Sequence, residues 1–125
     1  AERIAYGFAD RVSNVDLLSA GLFCTTGIES FASTGRLSIF QSLQQAARLT
    51  RTWGDCYGYL LVATGRAELM LDPVLNLWDT AALMPILEES GGTLTDFHGE
   101  KTIFGGEAVA TNGQLLAEVL ARISS

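Results

Sequence analysis

The segment "AELMLDPVLNLWDTAALMPILEESGG", residues 67–92, limits what this chain can fold into more than any other stretch. It opens with an apolar run of strand length, 67–72. The Asp72–Pro73 pair stops that run, because proline lacks a ladder donor and restricts the residue before it. A helix is predicted from Leu77 or Trp78 to the Gly91–Gly92 pair, where the chain can turn left-handed and leave the helix. Pro85 lies inside this helix and predicts a kink or a break, since its ring removes an interior hydrogen bond. A short strand, a tight connection and a long helix are the parts of a layered α/β domain.

The rest of the chain repeats this alternation. "AGLFCTTG", 20–27, reads as a short strand ended by Gly27. After Thr34, Leu37, Phe40, Leu43 and Ala47 recur at helical spacing, with Gln41, Gln44 and Gln45 mostly on the other side. "RLTRTW", 48–53, alternates like a strand, and "DCYGYLLVATG", 55–65, reads as a helix closed by Gly65. Further strands are predicted near "GTLTDF" and "EAVATN". A last helix from about Gly113 carries Leu115, Leu116, Val119, Leu120 and Ile123 on one face. The predicted architecture is a layered αβα domain, its largely parallel sheet flanked by helices. At 125 residues the chain has the size of one domain with one core.

Composition excludes several function classes. The net charge is -6, and no basic stripe interleaved with aromatics is visible, so a nucleic-acid backbone would be repelled. The longest apolar runs are far shorter than the roughly 20 residues that span a bilayer. The first residues, "AERIAYGFADRVSNV", lack the basic region and apolar core of an export signal. Two cysteines, Cys24 and Cys56, are too few for a disulfide framework and predict a reduced, cytoplasmic setting. Apolar residues make up 48% and glycines number 13, which predicts an apolar face that packs on another domain or a second copy.

In a parallel α/β sheet, ligands gather at the carboxyl ends of strands. Asp72, ending a strand, and Asp79, in the first turn of the next helix, both fall there. Hard cations such as Mg²⁺ take carboxylate oxygens, usually one or two from protein, with phosphate and water completing the shell. Plainer roles compete: Asp79 offsets a helix dipole, Asp72 starts a turn, Asp55 starts a helix and Arg51 is a solvated strand residue. His98 sits in a polar, Gly-rich turn and reads as a surface residue. Cys56 has no nearby His or Lys and reads as packing. Neither Gly91–Gly92 nor Gly105–Gly106 has the surroundings of a phosphate loop.

The quoted segment resembles the second signature of the inositol monophosphatase superfamily in Trp78, Asp79, Ala81, Ala82, Glu88, Glu89, Gly91 and Gly92. Upstream, "RTWGDCYGYLLVATGRAELMLDPVLNLWD" looks like its histidinol-phosphatase branch, and "LFCTTG" and "TIFGGEAVATNG" fit the family's C-terminal half. The resemblance implies a Mg²⁺-dependent phosphomonoesterase in which bound metal grips the phosphate and activates water. It makes Asp79 a metal ligand and Asp72 an acid beside the substrate's alcohol part. It also implies that Asp55 binds the amine or imidazole of histidinol phosphate, and that Arg51 orients the site.

Complete members also carry an N-terminal half whose Glu and Asp-Pro-x-Asp-Gly-Thr segment supply most metal ligands. The only Asp-Pro here is Asp72–Pro73, which belongs to the second half. The expectation is therefore a C-terminal domain, inactive by itself, that pairs with such a half and forms homo-oligomers. An inositol phosphate substrate, or a non-catalytic assembly module in which the acids only start helices, remain the alternatives.

Overall fold

The computed structural model describes residues 11–53 and 56–124. A 3-10 turn at Leu18–Ala20 leads into β1 (Leu22–Cys24), α1 (Ile28–Ser33), α2 (Leu37–Ala46) and β2 (Leu49–Arg51). Then follow α3 (Tyr57–Ala63), β3 (Leu69–Asp72), α4 (Leu77–Glu89), β4 (Thr93–Thr95), β5 (Ala108–Thr111) and α5 (Leu116–Ser124). The sheet has the order β2-β1-β3-β5-β4. β1 pairs in parallel with β2 and β3, while β5 lies antiparallel between β3 and β4. Four strands thus share one direction and β5 is reversed, giving a mixed sheet. The reversal follows from the connection: no helix separates β4 from β5, and without a crossover the chain returns antiparallel.

Side-chain alternation divides the core between the two faces of the sheet. Leu22, Cys24, Met70, Ala108 and Ala110 point to one face and pack with Tyr59, Leu61 and Val62 of α3 and Leu83, Met84 and Leu87 of α4. Phe23, Leu69, Leu71 and Val109 point to the other face, against Phe31, Phe40, Leu43 and Val119. The helices predicted after Thr34, over 55–65 and from about Gly113 are present as Leu37–Ala46, Tyr57–Ala63 and Leu116–Ser124; Phe40, Leu43 and Val119 are buried as expected, whereas Leu37 is exposed. The six-residue α1 and the 3-10 turn carry too little periodicity to be foreseen.

α4 departs from its prediction in one respect: it runs unbroken through Pro85. Pro85 is on the exposed side of the helix, where water can satisfy the Ala81 carbonyl that loses its donor. The helix ends where expected. Gly91 has φ 93°, and the Gly92 N–H reaches back to the Leu87 carbonyl at 2.8 Å, a left-handed stop that a Cβ would strain. The outer side of α4 and its approach are apolar: Val74 is 60%, Trp78 80% and Ile86 42% exposed. Among the described residues no helix is long and apolar enough to cross a membrane.

Candidate active site

The carboxyl ends of β1 and β3 meet the amino ends of α3 and α4 on one face of the sheet, and Asp72 stands at their junction. As the last residue of β3 it follows Met70 by two positions and points to the same side, under α3. It is only 1% exposed. Four donors converge on its carboxylate. Oδ1 accepts from the Thr25 hydroxyl at 3.3 Å and the Thr26 N–H at 3.0 Å. Oδ2 accepts from the Thr26 hydroxyl at 3.2 Å and the Tyr59 hydroxyl at 2.7 Å. A buried carboxylate demands such satisfaction, since an unpaired one is strongly disfavoured away from water. Asp72 therefore ties the end of β1 to α3.

The approach of α3 makes the Tyr59 bond possible. Gly58 lies so close to β3 that a Cβ there would overlap the Met70 sulfur. Tyr59 is fully buried. Burial pushes its hydroxyl pKa well above 10.0, and the negative charge and hydrogen bond of Asp72 push further the same way, so Tyr59 remains a donor. Asp79 adds to that rise, which puts its charge within electrostatic reach of the same hydroxyl. The two aspartates thus share one neighbourhood.

Asp79 has a different setting. Asn76 caps α4 by accepting the Asp79 N–H at 3.0 Å, and the Thr80 hydroxyl bonds the Asn76 carbonyl at 3.1 Å. The Leu75 N–H holds the Gly106 carbonyl at 2.9 Å, fixing the strand-to-helix turn to the β4–β5 connection. Asp79 is half-buried in the first helical turn, and its carboxylate has no hydrogen-bond donor among the described residues. Its oxygens suit one corner of a Mg²⁺ shell, where one or two protein carboxylates are usual. The described residues hold no cluster of three or more His, Cys, Asp or Glu, so a complete cage needs other groups.

The remaining predicted residues fall elsewhere. Arg51 ends the edge strand β2, exposed, with its guanidinium donating to the Thr50 carbonyl at 2.9 Å. No hydrogen bond or salt bridge among the described residues joins it to Asp72 or Asp79, and β1 lies between β2 and β3. Asp55 lies outside the described residues. His98 is exposed in a turn, its N–H on Asp96 at 2.8 Å, and Cys56 packs half-buried against the α3–α4 side of the core, both as expected. Thr25, Thr26 and Tyr59 were not singled out as site residues. The signal for the threonines was two adjacent hydroxyls just past a buried strand; for Tyr59 no sequence signal separates a core tyrosine from one aimed at a carboxylate.

The inositol monophosphatase family profile matches residues 9–125. The histidinol-phosphatase of Chlorobaculum parvum is 45% identical over 80 residues, 63% of this chain and 31% of that protein. That of Streptomyces coelicolor is 38% identical over 109 residues, 87% of this chain and 41% of that protein. An inositol monophosphatase structure from Zymomonas mobilis superposes with a TM-score of 0.83 at 29% identity, covering 92% of this chain and 46% of that one. The chain thus spans less than half the length of these relatives. With the strand order, the Trp78–Asp79 helix start and the closing Gly91–Gly92 pair in place, this chain belongs to the inositol monophosphatase family.

Proposed function

We propose that this chain forms the substrate-side part of a Mg²⁺-dependent phosphomonoesterase that converts histidinol phosphate to histidinol. The observation that carries this reading is the half-buried Asp79 carboxylate in the first turn of α4, where Asn76 accepts the Asp79 backbone N–H, beside the Asp72–Tyr59 junction. The likeness to histidinol-phosphatases supports the substrate. Bound Mg²⁺ would neutralise phosphate charge and lower the pKa of a coordinated water. Asp79 would hold the metal through its carboxylate, its backbone fixed at the head of α4 by the Asn76 cap. Asp72 shapes the crevice on the side of the substrate's organic part; in the same reading Asp55 binds the cationic end of the substrate and Arg51 is a weaker candidate for orienting it. A cationic histidinol moiety suits the surplus of acid in a chain of net charge -6.

Other residues of a longer protein complete the metal cage in this reading. The exposed apolar side chains Val74, Trp78 and Ile86 supply a surface for that further domain or for a second copy. Phosphate release is the test, measured in the full-length protein carrying this sequence with Mg²⁺ present. Asp79→Asn should lower kcat by about a hundredfold or more, the scale of removing a charge-stabilising group. Chelation should abolish turnover. Unchanged turnover in either case overturns the metal role, and equal kcat/KM on inositol phosphate overturns the substrate assignment.

A further inference from the structure

Asp72 is too deeply buried to meet a substrate itself. Between it and the surface stands Thr26, an exposed residue that gives both its N–H and its hydroxyl proton to the two Asp72 oxygens, at 3.0 and 3.2 Å. A hydroxyl has one proton. With that proton committed inward, Thr26 Oγ1 offers only lone pairs outward, and a hydrogen bond to an anion strengthens it as an acceptor. No described cation forms a salt bridge with Asp72, so the negative charge behind Thr26 is not neutralised by a neighbouring Lys or Arg. The outer tip of this network therefore favours a hydrogen-bond donor, above all a cationic one.

Tyr59 decides where that tip points. Its hydroxyl and that of Thr26 bond the same oxygen, Oδ2, while Oδ1 takes Thr25 Oγ1 and the Thr26 N–H. Rotation of the Asp72 carboxylate would break bonds to both sides. Tyr59 sits on α3 and Thr26 just past β1, so the carboxylate is the link by which the helix sets the threonine.

We propose that Thr26 Oγ1 is the substrate-contacting atom through which Asp72 acts, that it accepts from an ammonium or hydroxyl group of the substrate's organic part, and that Tyr59 is a positioning residue holding Asp72 in register. This deepens the phosphomonoesterase reading and rests on it for the choice of probe. Calorimetric titration of the full-length protein carrying this sequence with L-histidinol, without metal, is the test. The unaltered protein should bind saturably. Thr26→Val should weaken binding about tenfold and Thr26→Ser should restore it to within about twofold, as loss and return of one charge-assisted hydrogen bond require. Tyr59→Phe, checked as folded by circular dichroism, should weaken binding by about threefold or more. A merely structural role would lower the unfolding midpoint of Thr26→Val while leaving its affinity for L-histidinol unchanged.

Absence of saturable binding by the unaltered protein, equal affinity of Thr26→Val, or failure of serine to rescue overturns the threonine contact. Unchanged affinity in Tyr59→Phe overturns the positioning role. Binding needs neither metal nor hydrolysis, so retained L-histidinol binding in a full-length protein that releases no phosphate counts against the phosphatase reading alone.

Discussion

Asp72 and Asp79 flank one turn, yet the fold uses them in opposite ways. Asp72, at a strand end beneath a helix, has its oxygens taken by Thr25, Thr26 and Tyr59 and is 1% exposed. Asp79, in the first turn of α4, is half-buried and positioned through its backbone by Asn76. One carboxylate serves as an internal joint and the other remains available to a ligand. Residue type and spacing are the same language in both cases; burial and donor supply separate the meanings.

Substitution should widen this contrast first. Asp72→Ala leaves the buried Thr25 and Tyr59 hydroxyls without an acceptor and should cost about 3 kcal/mol or more of stability, whereas Asp79→Ala should change it by about 0.5 kcal/mol, its helix-dipole contribution. Urea unfolding midpoints of the two variants decide the matter, and equal losses would contradict the division of roles.

A buried acid with no such set of donors behaves differently again. Cys24, immediately before Thr25, has its thiol pushed from 9.0 to about 11 by burial and then by the charge of Glu68, partly offset by Arg51. Because the folded pKa is the higher one, the thiol's contribution to stability is whole below pH 9 and is lost as the pH rises through 11. The expected loss across that window is at most about 3 kcal/mol. Unfolding midpoints measured against pH should show the fall, and Cys24→Val should make it shallower between pH 9 and 11, leaving the part that Tyr59 contributes above pH 10.

A smaller effect tests how α3 delivers Tyr59 to Asp72. Gly58→Ala forces Met70, fully buried, to move or α3 to lift, and should cost about 1–2 kcal/mol by overpacking. The Asp72→Ala and Gly58→Ala losses should add to less than their sum, because both act on the Tyr59 bond. Full additivity would separate the helix approach from the junction.

Much of this was legible in advance. Apolar runs bounded by Gly or Pro placed β1, β3 and β5, and helical spacing placed α2 and α5, because burial imposes its period directly on composition, while α4 was placed by its start after Pro73 and its Gly91–Gly92 stop. Trp78–Asp79 and Gly91–Gly92 marked the family and the metal-ligand candidate. The unbroken course of α4 through Pro85 was not legible, since the cost of proline depends on which side of the helix meets water. Nor was the mixed sheet, because strand direction is set by the connection rather than by the strand.

The sequence by itself determined the elements, their inward faces and the two acids at one turn, all consequences of local periodicity and backbone chemistry. Tertiary structure alone decided what each acid does. Thr25, Thr26 and Tyr59 come to Asp72 from 47, 46 and 13 positions away along the chain. Such convergence is written in no local pattern, because a hydrogen bond between distant residues depends on how the sheet and helices pack.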